Sequence, residues 1–133
     1  MLVQVYQSFI RPVFDYASPA YHTILTDEQA ENIERMQRMT LKTIFGFDTP
    51  YCECLSKSGL QTLRQRRETL FQNFAGRVYE DEHYNAQWFK EKQKSRYGLR
   101  QEDRVVQLFA SCDRLKNAPI YRMRQFVKER HRK

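Results

Sequence analysis

Leu2, Val5, Tyr6, Phe9, Val13 and Tyr16 recur at steps of three and four residues. That spacing marks one face of an amphipathic helix. Pro12 falls inside the pattern. Its ring and missing N–H predict a bend or restart there, with the preceding residue pushed out of the α region. Ser18-Pro19 is read as the stop. A second helix is bracketed by its own signals. Thr26 and Gln29 form a capping-box pattern, Asp27 and Glu28 sit in the first turn, and Gly46 is a natural terminator. The helix is therefore expected from about 27 to 45, with Ala30, Ile33, Thr40, Leu41 and Ile44 facing the core. Thr49-Pro50 predicts a short helix over 50–58 closed by Gly59. Thr62 caps a longer one, whose Leu63, Leu70, Phe71, Phe74 and Val78 share an apolar face.

After Tyr79 the texture changes. "EDEH" is acidic and "KEKQKSRYGLR" is basic and poor in apolar residues, so the stretch reads as a loop or a solvated helix end, anchored by Trp88 and Phe89. "RVVQLFAS", 104–111, is β-prone enough for a strand. Asn117 and Pro119 can open a last helix with Ile120, Met123 and Val127 in a row. The expected fold is mainly α: a small helical bundle with a basic C-terminal extension and room for one short strand pair. The expected organisation is residues 1–80 as the helical region and 81–133 as the extension with its terminal helix.

Composition supports a packed core: 133 residues, 41% hydrophobic, with four Gly and four Pro. Charge matters more by placement than by sum. Residues 114–133 hold eight Lys/Arg and one acid, Glu129, whereas the first 113 residues balance fifteen bases against fifteen acids. A basic tail on a balanced body suits a polyanionic partner, and equally a solvated, frayed terminus. No segment reaches the roughly 20 apolar residues of a bilayer span, and the N-terminus lacks a signal-peptide pattern. A nuclear or cytoplasmic, non-secreted protein is the expectation, with no membrane partner.

Three cysteines, Cys52, Cys54 and Cys112, do not make a disulfide framework. His22, His83 and His131 show no zinc-ligand spacing, so reduced thiols are expected and no metal or other cofactor. Phosphate-cradling glycine loops, a nucleophile elbow and a zincin helix are missing from the sequence. No catalytic residues are assigned, and the chain on its own is not expected to be an enzyme.

Binding residues are easier to name. Arg35, Arg38 and Lys42 form a basic row on the face opposite the predicted core, and Arg64 and Arg66 follow. Arg122, Arg124 and Lys128 continue the series in the tail. These eight are the candidate nucleic-acid-binding residues, through phosphate neutralisation, with Tyr97 and Tyr121 as stacking candidates. For the row on 27–45, a grip and a merely wet helix face both stay open. Glu31, four residues before Arg35, accounts for part of the row by simple pairing. Arg67 lies inside an apolar face, as Asp15 does; it is either a ligand contact or, the favoured reading, a structural ion-pair partner with Asp15 as its expected mate.

Three segments in order, "VYQSFIRPVFDYASPAY", "IERMQRMTLKTIFG" and "LQTLRQRRETL", resemble the region after the polymerase core in reverse transcriptases of non-LTR retrotransposons. These are RNA-directed DNA polymerases of the endonuclease-bearing type. Tyr6, Ser8, Ile10–Val13 and Tyr16–Pro19 match the family's first helix. Ile33–Arg35 with Gln37-Arg38 match its second. Gly59-Leu60, Leu63 and Arg66-Arg67 match its third. "DRLKNAPIYRMRQFV" resembles the close of such polyproteins, with Ala118 in place of a serine, and Tyr21-His22 stand where a Trp is usual. The resemblance implies a thumb-like and connection region supporting an RNA–DNA hybrid, docked on the palm domain of the parent polymerase. It implies that Met1 is internal to a longer frame. The palm's Asp-Asp pair does not occur in this sequence, so polymerase activity does not carry over. The function expected is a non-catalytic C-terminal fragment binding RNA or DNA backbone. The alternative is a helical protein-interaction module, self-associating through exposed apolar helix faces, or an inert pseudogene product.

Overall fold

The structure is a computed structural model and describes residues 1–89 and 110–132. Its elements are helical: α1 (Leu2–Val5), a π-turn (Tyr6–Ile10), α2 (Arg11–Asp15), α3 (Ser18–Tyr21), α4 (Asp27–Phe45), α5 (Tyr51–Ser58), α6 (Leu63–Glu80), α7 (Glu82–Trp88), α8 (Asp113–Lys116) and α9 (Pro119–Arg132). The fold is thus mainly α, a small helical bundle, and no strand occurs among the described residues. The strand expected over 104–111 falls outside them except for its last two positions, and so does Tyr97. The chain divides into two compact units, Met1–Phe71 and Gln72–Lys133. The division lies inside α6 rather than at the 80/81 boundary read from composition. The change of texture after Tyr79 marks where a helix ends, not where packing changes hands: Ala75 and Val78 are buried in the second unit.

In the first unit, α1, the π-turn and α2 run on as one helical rod. Arg11 keeps helical dihedrals, φ −58° and ψ −38°, directly before Pro12. The predicted departure from the α region does not occur, because the chain widens instead of breaking. The Arg11 N–H reaches back five residues to the Tyr6 carbonyl, which makes room for the proline ring. The real break comes at Tyr16, extended at ψ 127°, and Ala17, left-handed at φ 53°, after which α3 restarts with Pro19 in its first turn.

Capping sets the bounds of α4 as the sequence predicts. Thr26 Oγ1 accepts from Gln29 N–H and Gln29 Oε1 accepts from Thr26 N–H, at 3.2 and 3.0 Å. Gly46, at φ 105°, and Gly59, at φ 66°, end α4 and α5 in conformations that side chains with a Cβ resist. Pro50 occupies the N-cap position of α5 rather than the first helical position, so the helix begins one residue later than expected. A second capping box, Thr62 with Gln65, opens α6. The first core collects Tyr6, Leu41, Cys54 and Leu60, with Ile44, Phe45, Tyr51 and Leu55 against them. Each large apolar side chain buried there contributes about 1.5–3 kcal/mol.

The N-terminal helix presents its predicted apolar face the wrong way round. Tyr6 is buried, but Leu2, Val5, Phe9, Val13 and Tyr16 are exposed, Phe9 by 73% and Val13 by 70%. Val3, Arg11, Phe14 and Asp15 take the inner positions instead.

In the second unit, "EDEH" opens a helix rather than a loop: Asp81 Oδ1 caps α7 by accepting from His83 and Tyr84 N–H. Phe89 is the anchor there, its ring meeting Tyr79 edge-on at 5.6 Å. From α9, Met123 and Val127 are buried as expected, while Ile120 stays exposed.

Candidate nucleic-acid interface

Helical spacing does place Arg35, Arg38 and Lys42 along one side of α4, but their surroundings differ. Arg35 is exposed, and Arg38 and Lys42 are half-buried. Arg38 Nη2 donates to Glu31 Oε1 at 2.9 Å, and its guanidinium lies over the Tyr51 ring, 5.3 Å from the centroid. Glu31 therefore pairs with Arg38, seven residues on, where Arg35 was expected. A cation already paired with a carboxylate and set over an aromatic face offers a phosphate less than a free one does.

Arg38 and Arg64 flank a cleft of about 780 Å³, shared with Asp27, Glu31, Glu34 and Tyr51. Three carboxylates against two guanidiniums leave it formally acidic. That balance does not suit a phosphate cradle.

Behind the cleft is a buried polar network that periodicity alone did not reveal. Gln37, on the inner face of α4, is wholly buried. Its Oε1 accepts from the Tyr6 hydroxyl at 2.7 Å. Its Nε2 donates to the Tyr51 hydroxyl at 2.9 Å and to the Gln61 carbonyl at 3.0 Å. The Tyr51 hydroxyl donates to Glu34 Oε1, and Glu34 Oε2 accepts from the Arg64 backbone N–H. Burial pushes the Tyr6 phenol up to about 12. Burial and then the bond to Glu34 raise Tyr51 as well. Both phenols are thereby held as neutral donors. The signal in the sequence was the pair of core tyrosines, whose hydroxyls need polar partners.

The expected Asp15–Arg67 pair is replaced by a neighbouring one. Arg66 Nη2 and Nε donate to Asp15 Oδ2 at 3.2 and 3.3 Å, and Arg11 approaches the same oxygen at 3.8 Å. Arg66 precedes Arg67 on α6 and is half-buried, so its guanidinium meets the carboxylate without entering the core. Arg67 is 1% exposed, and its Nε and Nη1 meet no hydrogen-bond partner among the described residues. His22 Nε2 is hydrogen-bonded to Glu68 Oε2 at 2.7 Å, and Tyr21 donates to the Phe14 carbonyl.

The tail residues divide in the same way. Arg124 is buried, and its Nε donates to the Trp88 carbonyl at 2.6 Å, so this member of the predicted set is internal to the second unit. Arg122, Lys128 and Arg130 are exposed on α9, and Tyr121 is half-buried. Arg130 reaches α6 with its guanidinium, Nη1 standing 3.4 Å from where a Cβ on Gly76 would be.

Cys54 is buried, and Cys52 and Cys112 are exposed. Among the described residues no group of three or more His, Cys, Asp or Glu could hold a metal. No described helix is long and apolar enough to cross a membrane. Comparison of the chain with protein-family models, with curated proteins and with solved structures gives no match.

Proposed function

We infer that this chain is a non-catalytic helical segment, of the kind that follows the polymerase core in non-LTR retrotransposon reverse transcriptases, and that it holds nucleic acid by its sugar–phosphate backbone. The observation that carries the binding reading is α9. This helix has five Arg/Lys against Glu129 alone among acids, buries Met123 and Val127 on one side, and exposes Arg122, Lys128 and Arg130. A cationic face of that kind neutralises phosphates irrespective of base sequence and releases counterions as it does so. The order of motifs along the chain supports the family reading. RNA–DNA hybrid, the duplex handled by the parent enzyme, is the natural first ligand.

The test is binding of the full chain to a labelled RNA–DNA hybrid across a salt series. Affinity should fall linearly on a log–log plot, and Arg122→Ala with Arg130→Ala should flatten the slope by about 0.9 for each phosphate no longer neutralised. Arg38→Ala should change the slope little, because Glu31 and Tyr51 already hold that guanidinium. Binding that ignores salt, or that survives the α9 pair and disappears with Arg38→Ala, would refute the assignment to α9.

A further inference from the structure

The outer face of the N-terminal rod is the largest departure from ordinary burial in the described residues. Leu2, Val5, Phe9, Val13 and Tyr16 follow one another at three- and four-residue steps and are 45–81% exposed. Met1 and Ile10 extend the surface. The polar side chains bordering the row, Gln4 and Ser8, are uncharged, and residues 1–10 contain no charged side chain at all. Arg11 and Asp15, the first charges, are turned inward and lie 3.8 Å apart.

We propose that this face is a homodimer interface, at which two copies of the chain pack their N-terminal rods against each other about a two-fold axis. Two observations favour a second copy as the occupant. The first is area. The row offers on the order of 800 Å² per chain, what each partner contributes to an interface of standard size, and more than the few hundred Å² of contiguous apolar surface that a monomer ordinarily exposes. The second is charge. In a two-fold contact, residues near the axis meet their own symmetry mates, so any charge there would meet its like. The side chains of this face carry none, whereas the outer side of α4 would bring Arg35 against Arg35. The inference is independent of nucleic-acid binding by α9.

Analytical ultracentrifugation of the full chain without nucleic acid, from one to several hundred micromolar, tests it. The mass should rise from that of a 16.2 kDa chain to twice that value with concentration. Added salt should not weaken the association, since no ion pairs hold it. Phe9→Glu with Val13→Glu should move the midpoint at least tenfold to higher concentration, with helical circular dichroism unchanged because both side chains are already exposed. Should that double variant fold poorly, Phe9→Ser gives a milder reading in the same direction. A chain that stays monomeric throughout the range, or a dimer that these substitutions leave intact, overturns the proposal.

Discussion

The two units dispose of charge and apolar surface in opposite ways. The first is formally neutral, with eight bases and eight acids, and it spends its charge internally. Arg66 is tied to Asp15, Arg38 to Glu31, and Arg67 is buried, while Phe9 and Val13 face outward. The second holds fifteen bases against eight acids and follows the usual order: Val78, Met123 and Val127 inside, Arg122 and Arg130 outside. A count of arginines therefore overstates what the first unit can offer a polyanion. Each guanidinium has to be followed to its partner before it is counted as a phosphate ligand.

The sharpest way to break the contrast is at Gln37. If the first unit truly relies on polar groups within its core, Gln37→Ala leaves the Tyr6 hydroxyl and the Gln61 carbonyl without partners. It should cost about 3 kcal/mol in urea unfolding. A loss under about 1 kcal/mol would mean that the network is incidental to packing. Arg67 gives a smaller effect of opposite sign. A buried guanidinium short of partners is a burden, so Arg67→Met should raise stability by about 1–3 kcal/mol. A drop instead would reveal that the charge is compensated. The smallest effect is alkaline. The Tyr6 phenol is raised from about 10 to about 12 by burial, so the folded state favours the protonated form. Its stabilising contribution is complete below about pH 10 and is lost as pH rises through about 12. Tyr6→Phe should remove that slope from a pH-dependent unfolding series, and a slope left unchanged would place the ionisation elsewhere.

These contrasts also show what was readable beforehand. Helix α4 was legible nearly to the residue, because Thr26, Gln29 and Gly46 act through the backbone next to them. The cap at Thr62 was legible for the same reason, although the reciprocal bond from Gln65 was not read beforehand. The phase of the N-terminal rod was not. Spacing fixes the period of a helix, but which side turns inward is settled by residues far along the chain, here Gln37 and Arg66, which draw in Tyr6 and Asp15. Arg124 was misplaced for a similar reason. Its row looks solvated until the Trp88 carbonyl arrives from another helix. The basic face of α9 could be anticipated from charge, but the burial of one arginine within it could not.

The π-turn at Tyr6–Ile10 has an evolutionary reading. It is an α-helix carrying one residue too many, an insertion absorbed without a break. Deleting a single residue there would restore a regular helix and leave the segments before and after it facing nearly as they do now, because the wider turn has already absorbed the extra residue. One codon gained or lost at this point is thus tolerated with the outer stripe and the rest of the first unit both in register.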